Sequence, residues 1–548
     1  MFRCTHMELA KIYSKAPFSH MNSIGNDALR NGLLKRFYFL ISSRTDYTTL
    51  ADENFIPGLD IAFYRNRGIY HTSKDSTEYI KAESLQHLGE NIVYTVDRLM
   101  VSDFMSREER LVESVALSFY DFAGLVSFSA SKIVSLILNV FICIVLGFFA
   151  YSLIAKREFQ SIPRLRLFYG PIALISGLIL NVLLSVLIQC IIIPGNRYYG
   201  YQKLFMCCSV FIAGISVSLV TLSQLSNPKL SLFNVLIFWI FFQLFNLVFI
   251  ILGITAFYIV TWYSALFLVG CCVLFAAKSY SKTCKTGSDT LYSIRYILFF
   301  PFAAAFPFIV NVDMMLLLLD GLLGTIVDSN SILIITVLFA FTSYLLLVNF
   351  TLFIDRHSAK YGLLGCSASL LIISIFLIAK TNPYSSDFPL QLTYYERHTS
   401  DNSIVVIKST MNRPSNFLEL VKWDKYDASE SNGEIVLKIP KIKFGDSDLP
   451  IQIQDRTITL TEVAAVEYSS TCQCTMDGEP CPSAFSKYGA KLVFESGKRC
   501  TISFKFIISD TEQLPSYNAL LQELPDWACF RSKRYKEIAS LHHTLTLE

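Results

Sequence analysis

Pro57-Gly58-Leu59-Asp60-Ile61-Ala62-Phe63-Tyr64 runs through Arg65-Asn66-Arg67-Gly68-Ile69 into Tyr70-His71-Thr72. Leu59, Ile61 and Phe63 alternate with Asp60, Ala62 and Tyr64, the period of a strand with one better-buried face. Gly58 and Gly68 punctuate its two ends. Beyond the loop, Leu85, Leu88, Ile92, Val96 and Leu99 recur at helical spacing, which predicts an amphipathic helix over 82–100. The order strand, loop, helix places Tyr70-His71 at the carboxyl end of the strand, where open α/β sheets carry their chemistry. A lone His on a loop is most often a polar surface residue, so spacing alone does not make His71 a metal ligand.

Outward from this stretch the composition changes sharply. The 548 residues are 53% hydrophobic with a mean hydropathy of +0.44, too apolar for one soluble domain. A net charge of +3 carries no message about nucleic acid. An apolar block runs from 131 to 379, and a spanning helix needs about 20 apolar residues. Punctuation divides the block into eight predicted spans, 131–154, 170–193, 204–223, 231–251, 255–277, 296–318, 331–354 and 361–379. The fourth and fifth are separated only around Gly253.

Loop charge predicts the orientation. Lys156, Arg157, Arg164, Arg166, Lys229, Lys278, Lys282, Lys285, Arg295, Arg356 and Lys360 fall on one side. Arg197 and Lys203 fall on the other, where the 320–330 loop is acidic. The first side is therefore cytosolic, and both termini face the lumen. The tail from Thr381 onward has short alternating or β-branched runs at 403–408, 434–439, 451–460, 491–494 and 501–508, broken by Asn, Gly, Asp and Pro. These predict a mostly-β, sandwich-like lumenal domain. The expected organisation is a partial α/β domain over 1–110, a membrane approach over 111–130, the eight-span block over 131–379 and the lumenal β domain over 380–548.

Thr45-Asp46-Tyr47, Ile56 to Tyr64, Tyr70-His71-Thr72, Asp75-Ser76 and Glu83-Ser84-Leu85-Gln86-His87 occur in a fixed order. In these motifs the chain resembles the closing segment of the di-zinc, aminopeptidase-type exopeptidases. It is most similar to their multi-spanning branch, the fungal vacuolar membrane protease and the endoplasmic-reticulum metallopeptidase. The closing Leu524-Pro525-Asp526-Trp527 resembles the end of the vacuolar protease. The resemblance implies that His71 is the last zinc ligand and that Tyr70 stabilises the oxyanion of the tetrahedral intermediate. Thr72 and Asp75 would orient the loop behind them. It also implies two zinc ions, a peptide substrate, contact with membrane lipid and a place in the vacuolar membrane, with the endoplasmic reticulum as the alternative.

The family's chemistry needs a bridging carboxylate, further ligands and a Glu that takes a proton from metal-bound water. No His-x-Asp and no adjacent Glu pair precede His71, and Glu108-Glu109 lies downstream on what reads as a solvated helix face. Met1 to His6 lack a signal-peptide core. The expectation is a chain that starts inside the peptidase domain, with an inactive scaffold or, behind it, a transporter as rivals. Lys35 to Ile41, basic and aromatic, interrupts the resemblance as a loop or a gene-model error.

Cys472, Cys474, Cys481 and Cys500 read as disulfides in an oxidising lumen, ahead of a zinc cage. Asp313 is an intramembrane carboxylate and so a functional candidate, near the lumenal end of its span. Pro301 and Pro307 predict a kink there. Asn349-Phe350-Thr351 is a sequon inside an apolar span, where no glycan can be added.

Overall fold

A computed structural model describes residues 1–29, 46–53, 56–63, 67–105, 117–122, 124–155, 164–192, 202–223, 228–284, 297–312, 315–316, 332–353, 357–380 and 382. In the tail it describes 384–398, 403–409, 427–431, 434–439, 451–454, 457–460, 465–476, 479–485, 491–494, 499–508, 515–531 and 539–547. Lys35 to Ile41, Glu108-Glu109, Asp313 and the acidic 320–330 loop lie outside the described residues. The chain forms two compact units, one of 1–67 with 77–383 and one of 68–76 with 384–548. The sequence boundaries thus shift in one respect. Gly68 to Ser76 belongs with the C-terminal strands.

In the first unit, strand β2 (Leu59–Asp60) pairs antiparallel with β1 (Arg3–Cys4). The strand expected through Tyr64 is therefore shorter, because its partner offers only two residues. Among the described residues this antiparallel ladder is the whole of the sheet that contains Leu59 and Asp60. Arg3, buried to 2% exposure, donates from Nε to Asp60 Oδ2 at 2.7 Å and lies over the Tyr47 ring.

Helices α1 (Met7–Tyr13), α2 (Ile24–Leu29) and α3 (Ala82–Met100) follow. The predicted helix forms, but its facing differs from the sequence reading. Asn91 and Thr95 are buried, while Leu85, Ile92 and Val96 are exposed. Asn91 sets the rotation, since its Oδ1 accepts from Phe18 N at 3.0 Å and its Nδ2 donates to Phe18 O at 2.9 Å. The approach segment is a hairpin of β3 (Leu117–Phe122) and β4 (Val126–Ser131). Its turn depends on Gly124, with φ at +71° and a backbone N–H donated to Asp121 Oδ2.

The described residues of the apolar block are mostly helical. Its helices are α4 (Lys132–Ala155), α5 (Arg164–Ile192), α6 (Gln202–Ser223), α7 (Pro228–Ile251), α8 (Tyr258–Cys284), α9 (Ile297–Val312), α10 (Ile332–Val348) and α11 (His357–Lys380). Among the described residues, five stretches are long and apolar enough to cross a membrane: Lys132–Ala155, Phe168–Cys190, Leu230–Ile251, Tyr258–Ala277 and Tyr361–Ile378. Cys207–Val220, Ile297–Val312 and Thr336–Leu352 are shorter apolar helices.

The break between α7 and α8 has a clear cause. Gly253 has φ at +84°, Ile254 N donates to Phe249 O and Gly253 N donates to Ile250 O. This pair of bonds is the Schellman closure, which needs a left-handed residue that only glycine adopts without strain. Just beyond it, Thr255 N donates to Asp27 Oδ2 at 2.6 Å. Burial pushes the Asp27 carboxyl up to about 7, against the donors of Thr255 and Ala256.

Polar side chains join these helices. Asn139 Oδ1 on α4 accepts from Gln243 Nε2 and Asn246 Nδ2 on α7 and from Thr261 Oγ1 on α8, at 2.8, 3.0 and 2.8 Å. Asn349 has a second such role. Pro307 has no N–H, so the carbonyl of Ala303 loses its helical donor, and Asn349 Nδ2 supplies one at 2.6 Å. The same amide accepts from Trp239 Nε1 at 2.8 Å, and residues Pro301–Ala305 form a π-helical turn. Asn349→Leu is expected to strand both groups and cost roughly 1–3 kcal/mol for each. Reversible unfolding in mixed micelles measures it, and an unchanged midpoint would show these bonds to be dispensable.

The second unit is built on β5 (Leu390–His398), which pairs with β6 (Ser403–Ser409) on one side and, in parallel, with β17 (Ala528–Phe530) and β18 (Ala539–Leu547) on the other. Beyond β6 lie β8 (Glu434–Ile439) and β7 (Asp427–Ser431), and beyond β18 lie β16 (Cys500–Ile508), β11 (Ala465–Ser470) and β14 (Ala484–Phe485). A second sheet runs β13 (Glu479–Pro480), β12 (Cys474–Met476), β15 (Lys491–Phe494), β10 (Thr457–Leu460), β9 (Ile451–Gln454). Leu390, Leu392, Tyr394, Glu396 and His398 share one buried face of β5, as period-2 geometry requires. Helix α12 (Pro515–Glu523) brings Tyr517, whose ring lies 5.1 Å from that of Tyr394.

Candidate active site

The loop Gly68 to Ser76 carries the residues singled out above. It opens with a 3-10 turn at Arg67–Ile69, closed by Thr72 N and Thr72 Oγ1, both donating to Ile69 O, the latter at 2.6 Å. Thr72 is 2% exposed. His71 sits between, with φ at +58°. Left-handed backbone is uncommon for a residue with a side chain, costs on the order of 1–3 kcal/mol and concentrates at functional sites. Its N–H donates to Asp75 Oδ2 at 3.2 Å, and the Tyr70 ring stacks on its imidazole with centroids 3.8 Å apart. Tyr70 is more than a third exposed, His71 half-buried and Asp75 exposed. The structure therefore gathers all four predicted residues into one short turn, with Tyr70 exposed, His71 half-buried and Thr72 buried.

What holds the turn was not visible in the sequence. Gly68 O accepts from Gln391 Nε2 at 2.8 Å, and Ser73 N donates to Phe530 O at 2.8 Å. Thr72 pairs with Arg531 in an antiparallel bridge, and Lys74 Nζ donates to the Asp526 carbonyl. The signal that could have pointed here is Leu524-Pro525-Asp526-Trp527, the stretch with a family resemblance of its own. Beside the loop lies Cys529, 1% exposed and hydrogen-bonded to Thr72. Burial pushes its thiol up to about 12, well above the usual range, so it stays protonated and is no nucleophile.

The tail cysteines pair as Cys472–Cys500 and Cys474–Cys481, with Cα atoms 5.6 and 5.5 Å apart. In the structure both pairs occupy the sulfurs that a zinc cage would need. Among the described residues, no three His, Cys, Asp or Glu side chains converge in a way that could hold a metal ion. His71 with Asp75 offers at most one imidazole and one carboxylate, too few for a zinc pair. The described residues thus do not fit the two zinc ions that the resemblance implies.

Comparison with known proteins addresses the same region. Residues 15–96 match Peptidase family M28. The vacuolar membrane protease of Colletotrichum graminicola is 36% identical over 99 residues, 18% of this chain and 9% of its own. That of Saccharomyces cerevisiae is 33% identical over 132 residues, 24% and 12% of the two chains. The putative endoplasmic reticulum metallopeptidase 1-B of Caenorhabditis elegans is 29% identical over 138 residues, 25% and 14%. The chain thus spans about a tenth of the length of the curated relatives it matches. No solved structure matches it. Through residues 15–96, which contain the Tyr70-His71-Thr72 turn, this chain matches peptidase family M28, with proteins named vacuolar membrane protease and endoplasmic reticulum metallopeptidase among its relatives.

Proposed function

We propose that the chain is part of a membrane-anchored zinc metallopeptidase that hydrolyses peptides in the lumen of the vacuole, or alternatively of the endoplasmic reticulum. The observation that carries this reading is the strained His71, held within a segment that matches a peptidase family. In the proposed site the His71 imidazole would be one ligand of the metal. The Tyr70 hydroxyl donates to the oxyanion as the peptide carbonyl becomes tetrahedral, and the stacked rings keep the two groups side by side. Thr72 holds the turn from within, and Asp75 accepts the His71 N–H from its exposed side. A zinc ion bound at His71 would polarise the peptide carbonyl and activate a water near neutral pH. Peptide and membrane lipid are the partners, and nucleic acid is not one.

A second reading, a catalytically silent scaffold, is favoured by the lack of converging ligands among the described residues. Zinc content and peptide turnover of the natural membrane protein separate the two. Stoichiometric metal with turnover supports the enzyme, and neither supports the scaffold.

The loop charges support eight spans with both ends lumenal. A glycosylation sequon engineered beside Ser431 on β7 is then expected to be modified in cells. An unmodified site, with a protease tag at the same place cut from the cytosol, would reverse the orientation.

A further inference from the structure

We infer that Gln391 and Thr72 are positioning residues for the Tyr70-His71 turn, and that the C-terminal β unit is thereby a built-in support of the peptidase site. The inference rests on the reading of His71 proposed above.

Leu390, Leu392 and Tyr394 point to one face of β5, so Gln391 and Thr393 point to the other. A carboxamide on the far face of a strand is ordinarily wet, yet Gln391 is 2% exposed. The Gly68 to Ser76 loop bonds to it there, and its amide donates to Gly68 O. The approach is close enough to exclude any side chain at Gly68, where a Cβ would fall 2.4 Å from Asp387 O and 2.9 Å from the Phe388 ring. Downstream, Ser73 N is tied to Phe530 O on β17, and β17 is itself paired with β5.

Ile69 to Thr72 are therefore strung between two anchors on adjacent strands of one sheet. An exposed loop of this composition would relax His71 to negative φ, because left-handed backbone is unfavourable for it. Fixed ends, with Thr72 Oγ1 bonded back to Ile69 O, leave it no room to do so. Such strain persists only where the surroundings over-determine it. The supporting residues lie more than 300 positions away, as the Gly68–Gln391 separation of 323 shows.

The test uses the full-length membrane protein with three variants. Gln391→Met keeps the shape but removes the donor, Thr72→Val removes the hydroxyl and Thr72→Ser restores it. Hydrogen exchange at the amides of 69–73 is expected to rise about tenfold in Gln391→Met and Thr72→Val, as for one lost hydrogen bond. Protection across β5–β6 and β16–β18 should stay unchanged, which guards against mere unfolding. Peptide kcat should fall about tenfold in both with KM unaltered, while Thr72→Ser behaves as the parent. Unchanged loop exchange in both variants overturns the inference, as does faster exchange with undiminished kcat. His71→Ala run in parallel separates the two failures. Full turnover there sinks the reading of His71 itself, while the exchange data still report on the docking.

Discussion

His71→Ala is expected to abolish peptide hydrolysis by the full-length membrane protein and to lower its zinc content. In the proposed site the imidazole would be the metal ligand on the turn, and among the described residues no group of three or more His, Cys, Asp or Glu could hold the metal in its place. Tyr70→Phe is expected to leave metal content intact and to lower kcat by about 10²–10³-fold, the typical loss for one oxyanion donor, equivalent to roughly 2.7–4 kcal/mol. The contrast matters because the two rings are stacked 3.8 Å apart, and a purely structural pair would lose stability rather than rate. Atomic absorption of the purified variants, with turnover of a fluorogenic peptide, reads both quantities. Undiminished activity in His71→Ala would remove the turn from the chemistry and favour the scaffold.

The second large effect belongs to the core of the β unit. Glu396 and His398 are fully buried on the same face of β5. His398 Nε2 lies 2.8 Å from Glu396 Oε1, and its Nδ1 lies 2.9 Å from Ser403 Oγ. Ser516 Oγ donates to Glu396 Oε2 at 2.6 Å, and Tyr394 OH donates to the same oxygen. The array has the order of a catalytic triad, but it is sealed from solvent and its role is structural.

Burial alone would push the Glu396 carboxyl up. The donors His398, Ser516 and Tyr394 outweigh burial and hold it below the usual carboxylate range. A carboxyl with a lowered folded pKa contributes stability above its unfolded value of about 4.3, and that stability is lost as pH falls through the lower folded value. His398→Ala is expected to destabilise the β unit by about 3–5 kcal/mol, because it leaves a carboxylate buried beside an empty site. Denaturant unfolding of the full chain near pH 7 and below pH 4, followed by hydrogen exchange at the β5 and β6 amides, measures this. An effect under about 1 kcal/mol would show that the carboxylate finds other partners.

The apolar block could be read without any contact. Backbone groups in lipid must be satisfied within their own helix, so an uninterrupted apolar run of sufficient length already specifies one. Each of the eight predicted segments is mainly helical in its described part, five of them long and apolar enough to cross a membrane, and the Gly253 boundary lies where only a left-handed residue could close α7. Helix 82–100 was equally legible from its period. The face it buries was not, because Asn91 and its bonds to Phe18, 73 positions away, decide the rotation. The strand through Tyr64 was over-read, since alternation cannot say how much partner a strand will have.

The site divides in the same way. Tyr70, His71, Thr72 and Asp75 were named by local motif, and a local motif suffices to gather them because they lie within one turn. The backbone angle of His71 was not in the motif, nor was the unit to which the turn belongs, nor the pairing of Cys472, Cys474, Cys481 and Cys500. Gln391, Phe530 and Arg531 carry no pattern that links them to position 70. Their contribution is a set of hydrogen bonds between segments hundreds of residues apart, and such bonds exist only once the sheet has brought its strands together.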